Sequence, residues 1–160
     1  TPVCGLKTPK GYNGRMQKTL HTLSELEAEA QNFAKTLMPL DGTATLVTLS
    51  GELGAGKTAF TKALAKALGV EDAVTSPTFV LEKLYVLGEA VPFSRLIHID
   101  AYRLKEGKEL AALGFDEVMR EEKNLVILEW PEQVDDALPL PAVRIRLEPQ
   151  ADGSRTIIYG

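Results

Sequence analysis

Gly51-Glu52-Leu53-Gly54-Ala55-Gly56-Lys57-Thr58 fits the phosphate-binding pattern G-x-x-x-x-G-K-[ST] at every fixed position. Its flanks decide the fold. Thr45-Leu46-Val47-Thr48-Leu49 is a short, partly β-branched strand, and Phe60, Leu64, Ala67 and Leu68 then recur at helical spacing until Gly69. A glycine loop between strand and helix lets successive amide N–H groups turn inward around phosphate oxygens. Lys57 adds a mobile positive charge for the β- and γ-phosphates, the Thr58 hydroxyl is a hard oxygen ligand suited to Mg²⁺, and the helix points its positive end at the anion. A bare connecting turn would need none of these groups together.

Outward from the loop, the chain reads as an α/β domain. Thr22 and Glu25 form a T-x-x-E capping box opening a helix whose apolar face is Leu26, Ala30, Phe33, Ala34 and Leu37, and Pro39 with Asp41-Gly42 ends it. Ser76-Pro77-Thr78 precedes an extended run from Phe79 to Leu87, and a Gly88 turn leads towards Leu96-Ile97-His98-Ile99, giving a strand pair. Residues 106–113 read as a short helix, interrupted by Gly107 and closed by Gly114. Leu125-Val126-Ile127-Leu128 is wholly apolar and reads as a buried central strand. Asp152-Gly153 marks a hairpin between strands at Val143–Glu148 and Arg155–Tyr159. The expected architecture is a three-layer phosphate-loop sandwich around a mixed central sheet.

Composition narrows the function. A net charge of −4 over 160 residues, with lysines and arginines scattered among acids, argues against broad contact with a nucleic-acid backbone. No apolar run approaches a membrane span and the N-terminus lacks the apolar core of a secretory signal, so a cytoplasmic location is expected. Cys4 is the only cysteine, which excludes an internal disulfide and a cysteine-based zinc site. Residues 1–15 carry Gly, Pro and polar residues without periodicity and read as a flexible extension or added segment ahead of a natural start at Met16.

Phosphoryl transfer needs a carboxylate to hold Mg²⁺ and a group to place the nucleophile, both at the carboxyl ends of strands beside the phosphate loop. Asp100 and Glu129 stand there, one as metal ligand and the other orienting water, with the assignment open between them. An isolated strand-end acid is more often merely solvated; a phosphate loop in the same chain changes that balance. His98 shares a strand face with Asp100, yet a lone strand histidine is more often a hydrogen-bonded core residue. The Ser76-Pro77-Thr78 hydroxyls could meet the γ-phosphate or simply belong to a Pro-fixed turn, and Trp130 could stack on a planar group or cap the core. Arg103 is a candidate for an arginine acting in cis.

Taken in order, GELGAGKT, TSPTFVL, HIDAYRL, ELAALGFDE and LVILEWPE resemble the bacterial TsaE (YjeE) family over nearly everything from Met16 to the C-terminal hairpin. The loop alone would name a superfamily; SPT, D-x-Y-R-L and E-W are far more specific. The resemblance implies that residues 16–160 are a single ATPase domain that works with TsaB- and TsaD-like proteins to form threonylcarbamoyladenosine in tRNA, touching tRNA only through those partners. It implies ATP and Mg²⁺ as cofactors, held by the loop from Glu52, Leu53, Gly54, Ala55, Gly56, Lys57 and Thr58 to Ala59. Lys57, Asp100 and Glu129 would be essential for hydrolysis, Thr58 with the two acids would hold the metal, Thr78 would be a switch-like contact, and Trp130 would lie near the nucleotide. Two rival classes are a nucleoside-type kinase, on Asp100 with Arg103, and a nucleotide-gated binding module without catalysis. Arg120, Arg144 and Arg146 are too scattered to form the arginine-bearing lid that such kinases use.

Overall fold

The computed structural model describes residues 16–71 and 81–160. A first strand, β1 (Met16–Leu20), leads into α1 (Leu23–Thr36), followed by β2 (Thr45–Ser50) and α2 (Lys57–Ala67). Then come β3 (Glu82–Val86), β4 (Arg95–Asp100), the short helices α3 (Lys108–Ala112) and α4 (Phe115–Met119), and β5 (Asn124–Glu129). Two 3₁₀ turns, Pro131–Gln133 and Asp135–Ala137, precede the closing hairpin of β6 (Val143–Pro149) and β7 (Arg155–Tyr159).

The seven strands form one sheet in the order β1-β7-β6-β2-β5-β4-β3. Its centre, β6-β2-β5-β4, is parallel; β3 on one flank and β7 on the other run against it, and β1, antiparallel to β7, runs with it at the edge. The expected mixed sheet is therefore present. Every residue of β5 is buried, as an unbroken apolar run between two neighbours requires. Side-chain alternation divides the core in two. Leu26, Phe33, Phe60 and Leu64 of α1 and α2 cover Val47, Leu49, Leu125 and Ile127 on one face. On the other, Leu110 of α3, Phe115 of α4 and Val134 cover Leu46, Ile97, Ile99, Val126 and Leu128. Among the described residues no helix is long and apolar enough to cross a membrane.

Local signals explain the helix ends. Thr22 Oγ1 accepts from the Glu25 N–H at 3.1 Å, and the Glu25 carboxylate accepts in return from the His21 N–H, so two exposed donors are satisfied at the entry to α1. Gly69, with φ of 89°, ends α2: its N–H reaches Lys66 O and that of Val70 reaches Ala65 O, both at 3.0 Å.

Four details differ from the sequence reading. β1 was not expected; its three middle residues are exposed, so it carries no apolar alternation to betray it. Gly107 precedes α3 as its N-cap rather than interrupting a helix: its N–H donates to Asp136 Oδ1 at 2.9 Å, and the close approach of Ala137, 2.2 Å from where a Cβ would lie, leaves room only for glycine. Gly114 closes α3 and also opens α4, a helix that five residues are too few to announce. The strand expected over 79–87 is β3 at Glu82–Val86, residues 79 and 80 lying outside the described residues.

Candidate nucleotide site

β2 delivers the chain to the loop, and the loop's shape is set by the strand beside it. Gly51 has φ of 146°, and a Cβ there would sit 2.4 Å from Leu147 O of β6, so only glycine lets the loop leave the sheet so close to its neighbour. Gly56, at φ 104°, is the N-cap of α2 and offers no side-chain cap. The first-turn N–H groups are left for an anion.

Lys57 is buried, with 6% of its surface exposed. Its Nζ donates to Gly51 O at 2.5 Å and Glu52 O at 2.8 Å, and it lies 4.2 Å from the centroid of the Trp130 ring. Burial pulls the ammonium below the usual lysine range, and the negative charges of Glu129, Glu132 and Asp100 oppose that pull. The ammonium group thus rests on loop carbonyls and an indole face, with acids nearby that oppose the loss of its proton.

Asp100 and Glu129 are register partners at the ends of β4 and β5. Both side chains emerge on the face covered by α1 and α2, beside the loop. Asp100 Oδ1 accepts the Tyr102 N–H at 3.0 Å. Burial pushes the Asp100 carboxyl above its usual range; the Tyr102 N–H lowers it, Glu129 raises it further, and the Lys57 ammonium holds it down. Glu129 is 2% exposed, and its Oε2 lies 2.7 Å from His98 Nε2. Trp130 is the only non-glycine residue with positive φ among the described residues, at 59°. Its N–H donates to Leu49 O at 3.1 Å, and its ring meets Tyr102 at 5.0 Å between centroids.

These groups enclose a pocket of about 350 Å³. Leu53, Gly54, Gly56, Lys57, Thr58 and Ala59 form one wall, and Asp100, Tyr102, Arg103, Glu129 and Trp130 the other, with Leu81 between them. Of the expected site residues, Glu52 and Ala55 stand behind the wall: the Glu52 carbonyl holds Lys57 and the Ala55 N–H, and Ala55 is fully buried. Ser76, Pro77 and Thr78 lie outside the described residues. Tyr102 was overlooked as a pocket residue, although the D-x-Y-R-L pattern contained it. Arg155 was also overlooked: a Cβ on Gly56 would fall 3.1 Å from its Nε, a proximity that no local pattern announces.

Comparison with known proteins settles the kinship. A family model described as "Threonylcarbamoyl adenosine biosynthesis protein TsaE" matches residues 20–157. The chain belongs to the TsaE family. Proteins named tRNA threonylcarbamoyladenosine biosynthesis protein TsaE are 43% identical over 105 residues in Streptomyces coelicolor, covering 64% of this chain and 68% of that one. The Rickettsia typhi TsaE is 37% identical over 134 residues, covering 81% and 85%. The Bacillus subtilis TsaE is 34% identical over 131 residues, covering 82% and 78%. Among solved structures, YdiB of Bacillus subtilis superposes with a TM-score of 0.70 at 28% identity, over 91% of this chain and 84% of that one. A TsaE protein takes part in threonylcarbamoyladenosine biosynthesis, so the remaining question is what the pocket contributes.

Proposed function

We propose that this TsaE protein binds and hydrolyses Mg–ATP, slowly alone and faster with TsaB- and TsaD-like partners in the complex that modifies tRNA. The observation carrying this reading is the convergence of Lys57, Thr58, Asp100 and Glu129 on one pocket at the ends of β2, β4 and β5. Loop amides and the α2 N-terminus hold the polyphosphate, and Lys57 leaves its carbonyls for the β- and γ-phosphates. Among the described residues no cluster of three or more His, Cys, Asp or Glu could enclose a metal alone. That suits Mg²⁺, which is usually bound through one or two carboxylates with phosphate and water completing the shell. Thr58 and one of the pair Asp100 and Glu129 would hold it, the ion would neutralise charge on the phosphates, and the other acid would orient water at the γ-phosphate. Arg103 lines the same wall, and in this reading it would contact the phosphates from the side of the acids. Trp130 and Tyr102 keep that wall apolar.

The charge balance of the chain favours partners as the holders of tRNA. With an excess of acids and no basic stripe in the sequence, the larger complex is the better candidate for nucleic-acid contact. The test is calorimetric titration with Mg–ATP, phosphate release, and tRNA modification with purified partners, comparing wild type with Glu129→Ala. The reading expects saturable binding, slow release of phosphate that partners accelerate, and loss of repeated modification in the variant. Absence of binding, or phosphate transfer to a nucleoside acceptor in place of release, would overturn it.

A further inference from the structure

His98 is placed two residues before Asp100 on β4 and is fully buried beneath the pocket. Its Nε2 meets Glu129 Oε2 at 2.7 Å, and no other described side chain or backbone group bonds that carboxylate. Its other nitrogen, Nδ1, is buried and has no partner among the described residues. A histidine kept only to knit the core ordinarily satisfies both nitrogens, since an unpaired buried polar atom is costly. Here one is left bare while the other is spent on the acid at the mouth of the site. The carboxylate oxygen at 2.7 Å acts as acceptor when Nε2 carries the proton, and that hydrogen bond joins the two side chains across neighbouring strands.

We infer that His98, donating through Nε2–H, is a positioning residue that pins Glu129 Oε2 and thereby leaves Oε1 as the oxygen offered to the metal ion or the attacking water. This rests on the reading of the pocket as a Mg–ATP site. Donation by a buried neighbour fixes the rotamer of a ligating or water-orienting group before the ligand arrives, and losing such a neighbour typically costs about 10- to 100-fold in metal affinity or activity. β4 and β5 are hydrogen-bonded neighbours, so the His98–Glu129 bond spans rigid backbone on both sides.

The test compares His98→Gln, whose amide N–H can occupy the place of Nε2–H, with His98→Leu, which fills the space without a donor. Mn²⁺ affinity in the presence of a non-hydrolysable ATP analogue is read by electron paramagnetic resonance, and nucleotide affinity in EDTA is measured alongside. The expected result is Mn²⁺ binding about 10- to 100-fold weaker in His98→Leu, largely restored in His98→Gln, with EDTA-phase nucleotide affinity unchanged in both. If His98→Leu does not fold, His98→Asn, whose amide is too short to reach Glu129, takes its place. Wild-type Mn²⁺ affinity in the donor-less variant, or a Gln variant no better than it, overturns the inference. A long-range ¹⁵N–¹H spectrum of the metal-free protein gives a second readout, expected to show Nε2–H; the Nδ1–H tautomer overturns the inference as well. Failure of the wild type to bind Mn²⁺–nucleotide is a different result, which removes the reading of the pocket itself.

Discussion

The Lys57 ammonium lies 4.2 Å from the centre of the Trp130 ring while it donates to the carbonyls of Gly51 and Glu52. To reach a phosphate it must leave the indole. Trp130 is the only tryptophan in the chain, so its fluorescence reports that movement without a label. Titration with Mg–ATP should change the emission saturably. Lys57→Ala should show altered emission without ligand, bind about 10- to 100-fold more weakly, in line with hydrogen bonds to a charged group, and release no phosphate. Unchanged affinity in that variant would remove the role given to Lys57.

Asp100 carries a cost in the ligand-free protein. Its folded carboxyl titrates above the ordinary value, so ionisation opposes folding once the pH exceeds that raised value, and the opposition vanishes as the pH falls below the unfolded value. Asp100→Asn should therefore raise the melting temperature of the metal-free protein at neutral pH, with the gain fading in acid. The same substitution should reduce Mg²⁺-dependent hydrolysis by at least about tenfold. A variant melting below wild type at pH 7 would contradict the first half independently of the second.

Far from the pocket, Glu29 is buried with its Oε1 accepting from Tyr159 Oη at 2.7 Å and its Oε2 from Lys18 Nζ at 3.0 Å. One carboxylate thus ties α1 to β7 and β1. Tyr159→Phe leaves that oxygen unsatisfied and should destabilise the domain by about 1.5–3 kcal/mol, read from urea unfolding. Nucleotide affinity should not follow.

Two loop glycines should respond differently to alanine. At Gly54 a Cβ meets nothing within 4 Å, so Gly54→Ala carries only the left-handed backbone penalty of about 1–2 kcal/mol. At Gly51 the same atom collides with Leu147 O, and backbone must shift. Gly51→Ala should unfold at clearly lower urea than Gly54→Ala; the reverse order would mean that the loop is not braced by β6.

What the sequence made legible was whatever a local pattern encodes. Residues 51–58 named the loop, the alternation and apolar runs placed β2, β4 and β5, and the acids at 100 and 129 fell at strand ends that the sheet then brought into register. β1 escaped because Gln17, Lys18 and Thr19 are polar and exposed, so the segment carries no apolar alternation to separate strand from loop. The His98–Glu129 bond joins residues 31 apart, and the proximity of Arg155 to Gly56 depends on how β7 sits beside β6. Such contacts are made by strand order, which no window of neighbouring residues contains.

Successive strand residues face opposite ways, so β5 has no small slip available to it: the least displacement that restores its ladder to β2 and β4 turns Glu129 towards α3 and α4, away from the loop. Assembly of this pocket is consequently an all-or-none event, tied to completion of the parallel centre of the sheet. A chain caught with that centre unfinished holds a glycine loop and two acids that never meet, and a triphosphate would discriminate sharply between finished and unfinished molecules.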